Sequence, residues 1–555
     1  MGFSALIFPR INEERFSVLY SGQKFSRPNT PVNVIIGALI LKEMNQLTDD
    51  ELLESLLFDV RYQHALHTTS FSEQPFSNRT VSRFRARLLE YGRETGNDLL
   101  KEEMLVLADA FVEYTGMDVR KKRMDSVMIA TNCRRMSHLD LIYTCVENVI
   151  KQAAKQDMHL IAGFERYLDE DERNNTIYRT TPDEAQVRLA DVLDDGHELL
   201  KRLSETHSEM DAFKILERCL GERAKEVGGK YELRENAEIS SSSLQTPFDP
   251  DATFRSKAGK GHCGYVGNIV ETVERKGEQT TVFITDFDYQ RNTCSDSEFC
   301  KDVLDRLELQ QEPVWLVADG GYFSVKHVEA AAEKNIELII GAMVGGTPDP
   351  LMAEFEVDAE TNLITRCPAG HAPLTSRLNG KIERSRHYRI TFEISVCEGC
   401  PNKDICHVSF QKSKAVVRIN ENTIKRAGYM KKLTAEEYVE LIRFRAGVEG
   451  IPSVLRRKYK VDKIPDRGYL RSKLWYTMKI GAINATRLLV KASSLLIRAV
   501  SINNSAFDAL FEQSTLVAFV RYSPVLTPLA ASEDILIAFA FFCAVCYTTL
   551  CTGTY

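Results

Sequence analysis

Three acids stand out by type and setting. Val314–Ala318 is a run of five apolar residues closing on Asp319, and Gly320 and Gly321 follow at once. A short apolar run ending in glycine predicts a buried strand that stops at a turn. In open α/β sheets functional groups gather where strands end at their carboxyl edge. Asp319 is therefore expected to project into a crevice, with the two glycines allowing a backbone or ligand to approach. An Asp capping the next helix is the competing expectation. Asp125 follows Arg120, Lys121, Lys122 and Arg123 and precedes the apolar and β-branched stretch Val127–Thr131, so it is expected at the start of a strand, with Arg134 and Arg135 beyond. Glu449 lies four residues after Arg445, on a helix opened by the capping-box pattern Thr434–Glu437. Residues four apart share a helix face, and a surface ion pair would look the same. Three carboxylates from distant segments, each beside cations, suit a two-metal site. Mg²⁺ takes oxygen ligands and keeps several waters, and two such ions can activate a nucleophile and stabilise the leaving oxygen of a phosphodiester. Asp286 and Asp288 compete with Asp125 for the first position, and the flanking residues favour Asp125.

The elements that must position these acids are legible only coarsely. The chain has 555 residues, long enough for several domains, with 44% hydrophobic and 27% charged residues. Its net charge of -7 does not advertise a polyanion partner, so local runs matter more. The 13 cysteines are an odd number, and Met1–Arg10 lacks the basic and apolar regions of a secretory signal, so a cytoplasmic chain with reduced thiols is expected.

Residues 1–115 read as helices. Thr30 and Pro31 mark one start, Thr48–Glu51 is a capping box, and Ser77 precedes a helix carrying Arg83, Arg85 and Arg87. Those arginines suit a helix against DNA or a solvated face. Residues 116–345 alternate strands with helices after an acidic helical insertion at 137–245, which predicts a partly parallel sheet. Residues 346–430 form a second insertion with Cys367, Cys397, Cys400 and Cys406. A CxxC pair with two outlying cysteines suits a closed, structural four-thiolate Zn²⁺ site, with His371 or His407 as a possible substitute ligand and free buried cysteines as the alternative. Residues 431–498 carry the Glu449 helix, where Pro452 is expected to end or kink the helix. Between 455 and 498, twelve lysines and arginines, among them Arg456, Arg457 and Lys458, face two aspartates, with Tyr459, Tyr469, Trp475 and Tyr476 interleaved. Basic plus aromatic residues over such a span suit a nucleic-acid surface. The tail, 499–555, includes an uncharged run, Ile535–Leu550, of 16 residues. That is short of the ~20 residues a bilayer span needs, and a buried helix, a marginal membrane segment or sequence translated past an ancestral stop all fit.

On these motifs the chain resembles the bacterial insertion-sequence DDE transposases. The likeness rests on Arg123–Ser126, Ala318–Tyr322 and Arg445–Gly450, with Arg456 seven residues past Glu449. The last resembles the family's Tyr-Arg-Glu-Lys signature, with Ile442 in the Tyr position and Arg456 in place of Lys. The helix containing Asn484 resembles the family's closing helix, and the likeness spans roughly residues 15–495. It implies an α/β protein: an RNase H-like mixed sheet flanked by helices, with an all-α N-terminal DNA-binding domain, a helical insertion and a small Cys-rich insertion. It implies Asp125, Asp319 and Glu449 as catalytic residues holding Mg²⁺ or Mn²⁺, two ions in all, and Arg445 and Arg456 on DNA phosphates, beside Arg457 and Lys458 of the basic stretch. The implied partner is double-stranded DNA, at the element's terminal inverted repeats and at the target, met by a homodimer without a small-molecule cofactor. The implied chemistry is strand cleavage and 3′-end transfer. A catalytically inactive DNA-binding copy and a zinc-stabilised interaction protein are the alternatives.

Overall fold

The structure, a computed structural model, describes residues 2–20, 30–69, 76–257, 259–341, 343, 345–382, 385–445, 450–462 and 464–511. The chain divides into two compact units. One comprises Met1–Met117, Arg275–Phe283 and Met478–Tyr555; the other comprises Asp118–Glu274 and Ile284–Thr477.

The first unit is mainly helical: α1 (Val32–Asn45), α2 (Asp49–Phe58), α3 (Val60–Ala65), α4 (Asn78–Thr95) and α5 (Leu99–Thr115). The α2 capping box forms, with Glu51 N–H donating to Thr48 Oγ1 at 3.2 Å and Thr48 N–H to Glu51 Oε2 at 2.7 Å. Pro31 is the residue before α1 and not its first helical position; its missing N–H costs nothing there. Ile35, Ile36, Leu39 and Ile40 bury α1.

The second unit is built on a mixed sheet. Its strands are β1 (Lys121–Ala130), β4 (Thr253–Lys257), β5 (Lys260–Lys276), β6 (Gln279–Arg291), β7 (Val314–Ala318) and β8 (Ile336–Ile340), and β2 (Ala224–Val227) with β3 (Lys230–Leu233) forms a separate hairpin. The order is β4-β5-β1-β7-β8, with β6 also on β5. β1 runs antiparallel to β5 and parallel to β7, and β7 runs parallel to β8. Between β1 and β4 the chain leaves the sheet for α6 (His138–Ala154), α7 (Glu170–Ile177), α8 (Pro182–His207) and α9 (Asp211–Arg223), which enclose a core of their own around Tyr143, Val146, Leu193 and Leu216.

Side-chain alternation along a strand decides what each sheet face carries. Met124, Val314, Leu316, Ala318, Leu338 and Ile340 share one core with residues of α10 (Asp296–Arg306) and α11 (Val325–Glu333). Val317 and Ile339 face the other way. A short antiparallel sheet follows, built from β11 (Thr375–Asn379), β12 (His387–Phe392), β13 (Ser409–Phe410) and β14 (Ala415–Asn420), with β9 (Glu356–Val357) and β10 (Ile364–Arg366) paired separately. This part has its own core, including Phe355, Ile390, Phe392, Cys397, Cys406 and Val417, and contains α12 (Ile394–Glu398). Then α13 (Glu421–Lys432) and α14 (Glu436–Arg445) return to the main sheet, where Leu433, Tyr438 and Leu441 cover Val317 and Ile339.

Two expectations need correction here. Thr434 does not cap α14: its hydroxyl donates to Lys431 O at 2.7 Å, and Ala435 O receives the Val439 N–H. Pro452 does not end a helix: α15 (Gly450–Arg457) continues past it. The long α16 (Tyr469–Phe511) closes the described chain. Among the described residues no helix is long and apolar enough to cross a membrane, and the uncharged run at Ile535–Leu550 lies outside them.

Candidate active site

Asp125 and Asp319 are brought together by strand register. β1 and β7 pair as Lys121↔Trp315, Lys122↔Leu316 and Arg123↔Val317. Two residues further along both strands, Asp125 falls level with Asp319, and neighbouring strands lie about 4.8 Å apart. Met124 and Ala318 occupy the α10/α11 face, so alternation turns Asp125 and Asp319 to the α14 face. Asp125 is thus in the middle of β1, not at its start, which corrects the expectation. The strand begins earlier because Lys122 and Arg123 have partners across the sheet: Lys122 reaches Thr272 Oγ1 at 2.9 Å, and Arg123 pairs with Glu271 at 2.8 Å with both side chains buried. Arg120 closes on Asp118 at 2.7 Å and Arg134 on Asp140 at 2.8 Å. Arg120, Arg123 and Arg134, half of the cations flanking Asp125, are therefore matched by acids of the chain itself.

Arg445, the last residue of α14, supplies the cation over the acids, with its Nη2 3.3 Å from Asp319 Oδ1. α14 is held to the sheet by its apolar face. Ile442 packs where a side chain on Gly341 would sit, only 2.6 Å from an added Cβ, so Ile442 belongs to the packing of the site and not to its chemistry. Burial raises the Asp125 carboxyl above its ordinary value. The Ser126 N–H, Lys257 and Arg445 act against that rise, and Asp319 adds to it. A buried carboxylate with a second one beside it is a setting that a divalent cation relieves. Asp319 also accepts the Gly320 N–H at 2.7 Å, capping the turn Gly320–Tyr322, so the capping role and the strand-end position coexist. Glu449 lies outside the described residues. The two competing acids are occupied elsewhere: Asp286 pairs with Arg306 at 2.7 Å, and buried Asp288 accepts from Tyr289 N–H and Gln290.

Two neighbours were not singled out by sequence reasoning. Lys257 acts on Asp125 from the β4–β5 hairpin, and Asp296, at the start of α10, places Oδ2 2.8 Å from where a Gly321 Cβ would be. Neither carries a local signal, because each meets the site through a non-local pairing.

The cysteines also converge. Cys367, Cys397, Cys400 and Cys406 line one small cavity of about 20 Å³ together with His371; His407 is not part of its lining. Cys367 N–H bonds His371 O at 3.0 Å and Gly370 N–H bonds Cys367 O at 2.8 Å, a tight turn that presents the first thiol. Burial pushes the Cys406 thiol up to about 11, with the other three cysteines adding to the rise. All four are free thiols. Among the described residues, no group of three or more His, Cys, Asp or Glu side chains has closed into a metal-ligand geometry.

The expected DNA contacts separate. Arg83 is exposed, whereas Arg85 pairs with Asp49 at 2.5 Å and Arg87 lies 4.4 Å over the Tyr20 ring. Arg456, Arg457 and Lys458 are exposed on and just after α15. The aromatic residues interleaved with the basic stretch are not a stacking surface. Tyr459, Trp475 and Tyr476 are buried, and the Tyr469 hydroxyl donates to Tyr289 O at 2.8 Å. The apolar periodicity of α16 accounts for Trp475 and Tyr476, since its inner face must be covered.

A mixed α/β unit thus carries an acid pair on two adjacent parallel strands, with Arg445 of α14 beside it. Residues 366–489 match the transposase DDE domain family, and residues 3–87 match the transposase domain (DUF772) family. Both matches are to transposase families, and they cover separate parts of the chain. Comparison with curated proteins and with solved structures gave no match.

Proposed function

We propose that this transposase binds the terminal inverted repeats of its element, cleaves them and transfers the 3′ ends to target DNA, using an RNase H-like catalytic unit. The observation that carries this reading is the β1–β7 register, which sets Asp125 level with Asp319 on the face that Arg445 overhangs. Asp125 and Asp319, with Glu449, are the oxygen donors that would hold Mg²⁺ or Mn²⁺; an acid-only donor set suits hard cations. When bound, the ions supply activation of the nucleophile and stabilisation of the leaving oxygen. In cleavage, a water oxygen bonds to phosphorus as the bond to the 3′ oxygen breaks, and that oxygen leaves as a hydroxyl. In transfer, the oxygen of this hydroxyl bonds to a target phosphorus as the bond to the target's own 3′ oxygen breaks, and that oxygen leaves as a hydroxyl carrying the proton the attacking group gives up. Arg445 would shift from Asp319 to a phosphate of the scissile strand, and Arg456, Arg457, Lys458 and Arg83 would contact DNA backbone.

The cysteine cavity is proposed as a structural Zn²⁺ site, since four thiols of one small sheet unit converge on it and soft ligands suit zinc. A homodimer on paired ends is proposed with the DNA complex.

The test is cleavage of a duplex carrying the element's own ends, with Mg²⁺ or Mn²⁺, by the wild type, Asp319→Asn and Glu449→Gln. Cleavage by the wild type alone, with DNA binding kept by all three, supports the reading. Equal cleavage by Asp319→Asn refutes the acid assignment. Binding without cleavage in every case favours an inactive copy, and no binding in any case favours an interaction protein.

A further inference from the structure

The β4–β5 hairpin gathers positive charge that the chain itself does not neutralise. Lys257 and Lys260 face each other at its end, where the pairing runs Arg255↔His262, Ser256↔Gly261 and Lys257↔Lys260. Arg135, from the loop after β1, is fixed along this hairpin: its Nη2 donates to Gly261 O at 2.5 Å, and its guanidinium lies 6.0 Å from the Phe254 ring centre. Gly261 makes that docking possible, because an added Cβ would lie 2.5 Å from Arg135 Nη2 and 2.7 Å from the Phe254 ring. Arg456 approaches the same place from α15. His262 registers the crowding: its proton affinity is lowered first by burial and then by Arg456, Arg135, Lys257 and Lys260 together. Lys257, Lys260, Arg135 and Arg456 are all exposed, and among the described residues none of them has an ion-pair partner.

The hairpin is anchored well enough to hold this arrangement. Arg255 donates to Cys294 O at 3.0 Å, and Thr253 Oγ1 donates to Asn292 Oδ1 at 2.7 Å in a buried position. Its charge also reaches the site, since Lys257 acts on the Asp125 carboxylate. Like charges held together in a folded chain repel, and a polyanion relieves the repulsion while releasing its counterions.

We infer that the β4–β5 hairpin, with Arg135 and Arg456, is a clamp for the phosphate backbone of the DNA strand leading into the Asp125–Asp319 site. The inference rests on the transposase reading for its partner and on hairpin geometry for its place. The contacts are with backbone phosphates, so they position DNA without reading its sequence.

The test is binding of the full-length protein to a 20-base-pair duplex of arbitrary sequence, in EDTA, across a series of salt concentrations. Each phosphate contact contributes about 0.9 to the slope of log K against log salt. The Lys257→Gln/Lys260→Gln protein is expected to lose about 1.8 from that slope, and Lys257→Arg/Lys260→Arg is expected to restore it. Both lysines are exposed at the end of a hairpin, and equal melting temperatures would show that the fold is kept. An unchanged slope overturns the clamp. So does saturable binding of inorganic phosphate that the Gln variant loses while its duplex slope stays put, because that outcome describes a small-anion pocket. A reduced slope in a protein whose wild type never cleaves supports the clamp and defeats the cleavage reading alone. Abolished cleavage in Asp319→Asn with an unchanged slope in the lysine variant does the reverse.

Discussion

Replacing Arg445 with Gln should tighten divalent-metal binding and weaken catalysis in the same protein. Arg445 Nη2 lies 3.3 Å from Asp319 Oδ1, and the two side chains are 35% and 52% exposed. Unit charges at such a distance attract by about 1 kcal/mol in a water-like dielectric, and much less than the interior value applies to so open a pair. A cation entering the acid pair must displace this arginine or share the carboxylates with it. Removing the guanidinium should therefore improve Mn²⁺ affinity by up to about fivefold, the equivalent of about 1 kcal/mol. Arg445 also acts on Asp125, which reinforces the sign. Gln keeps a polar head of similar reach, so the α14 packing through Ile442 and Leu441 stays intact. The assay is Mn²⁺ titration by calorimetry or by loss of the free-ion spin-resonance signal, without DNA, beside cleavage rates on element ends. Tighter Mn²⁺ binding with slower cleavage is the expected pair of results. Unchanged or weaker Mn²⁺ binding would refute the reasoning, because it would mean that Arg445 does not compete for the acids.

Other consequences are simpler to read. Burial raises the Asp125 carboxyl, so its charged form costs the fold free energy when no cation is bound beside it. The cost is absent below the ordinary carboxylate range and grows as pH rises through it to the raised value. Asp125→Asn should therefore melt like the wild type at low pH and at a higher temperature near neutrality, in chelator; a lower melting temperature at both ends would refute this. Elemental analysis should find about one zinc per chain, lost in Cys397→Ser/Cys400→Ser with a fall in melting temperature; equal zinc in both proteins would remove the cysteines from that role. Gly267→Ala should destabilise the fold by about 1–3 kcal/mol through overpacking, because an added Cβ would lie 2.6 Å from the Tyr476 ring, which is fully buried. Denaturant melts decide it, and Gly428→Ala, where nothing lies near the added atom, is the matched control.

Much of the local architecture is legible in the chain by itself. Val314–Ala318 forms the strand its apolar run predicts, and Asp319 stands at its end because glycines stop the strand there. Thr48 and Glu51 make both bonds of their capping box, a signal that needs only four consecutive residues. The four cysteines could be grouped from spacing, and they do line one cavity. These features depend on neighbours in sequence or on chemistry that admits few alternatives.

What depends on distant pairing was not legible. Asp125 sits in mid-strand because Lys122 and Arg123 find Thr272 and Glu271 on β5, about 150 residues away. The same basic residues, read locally, looked available to phosphates. Tyr459, Trp475 and Tyr476 read as a stacking surface because composition cannot tell which side of a helix faces inward, and packing turned them into core. Arg85 and Arg87 were spent on Asp49 and Tyr20, while the charge of Lys257, with no motif around it, came to act on Asp125. By itself the sequence determined which residue types were present and which short elements they form. The tertiary structure alone decided which charges cancel and which remain to act, because strand register and helix facing are set by burial across the whole unit and not by any one segment.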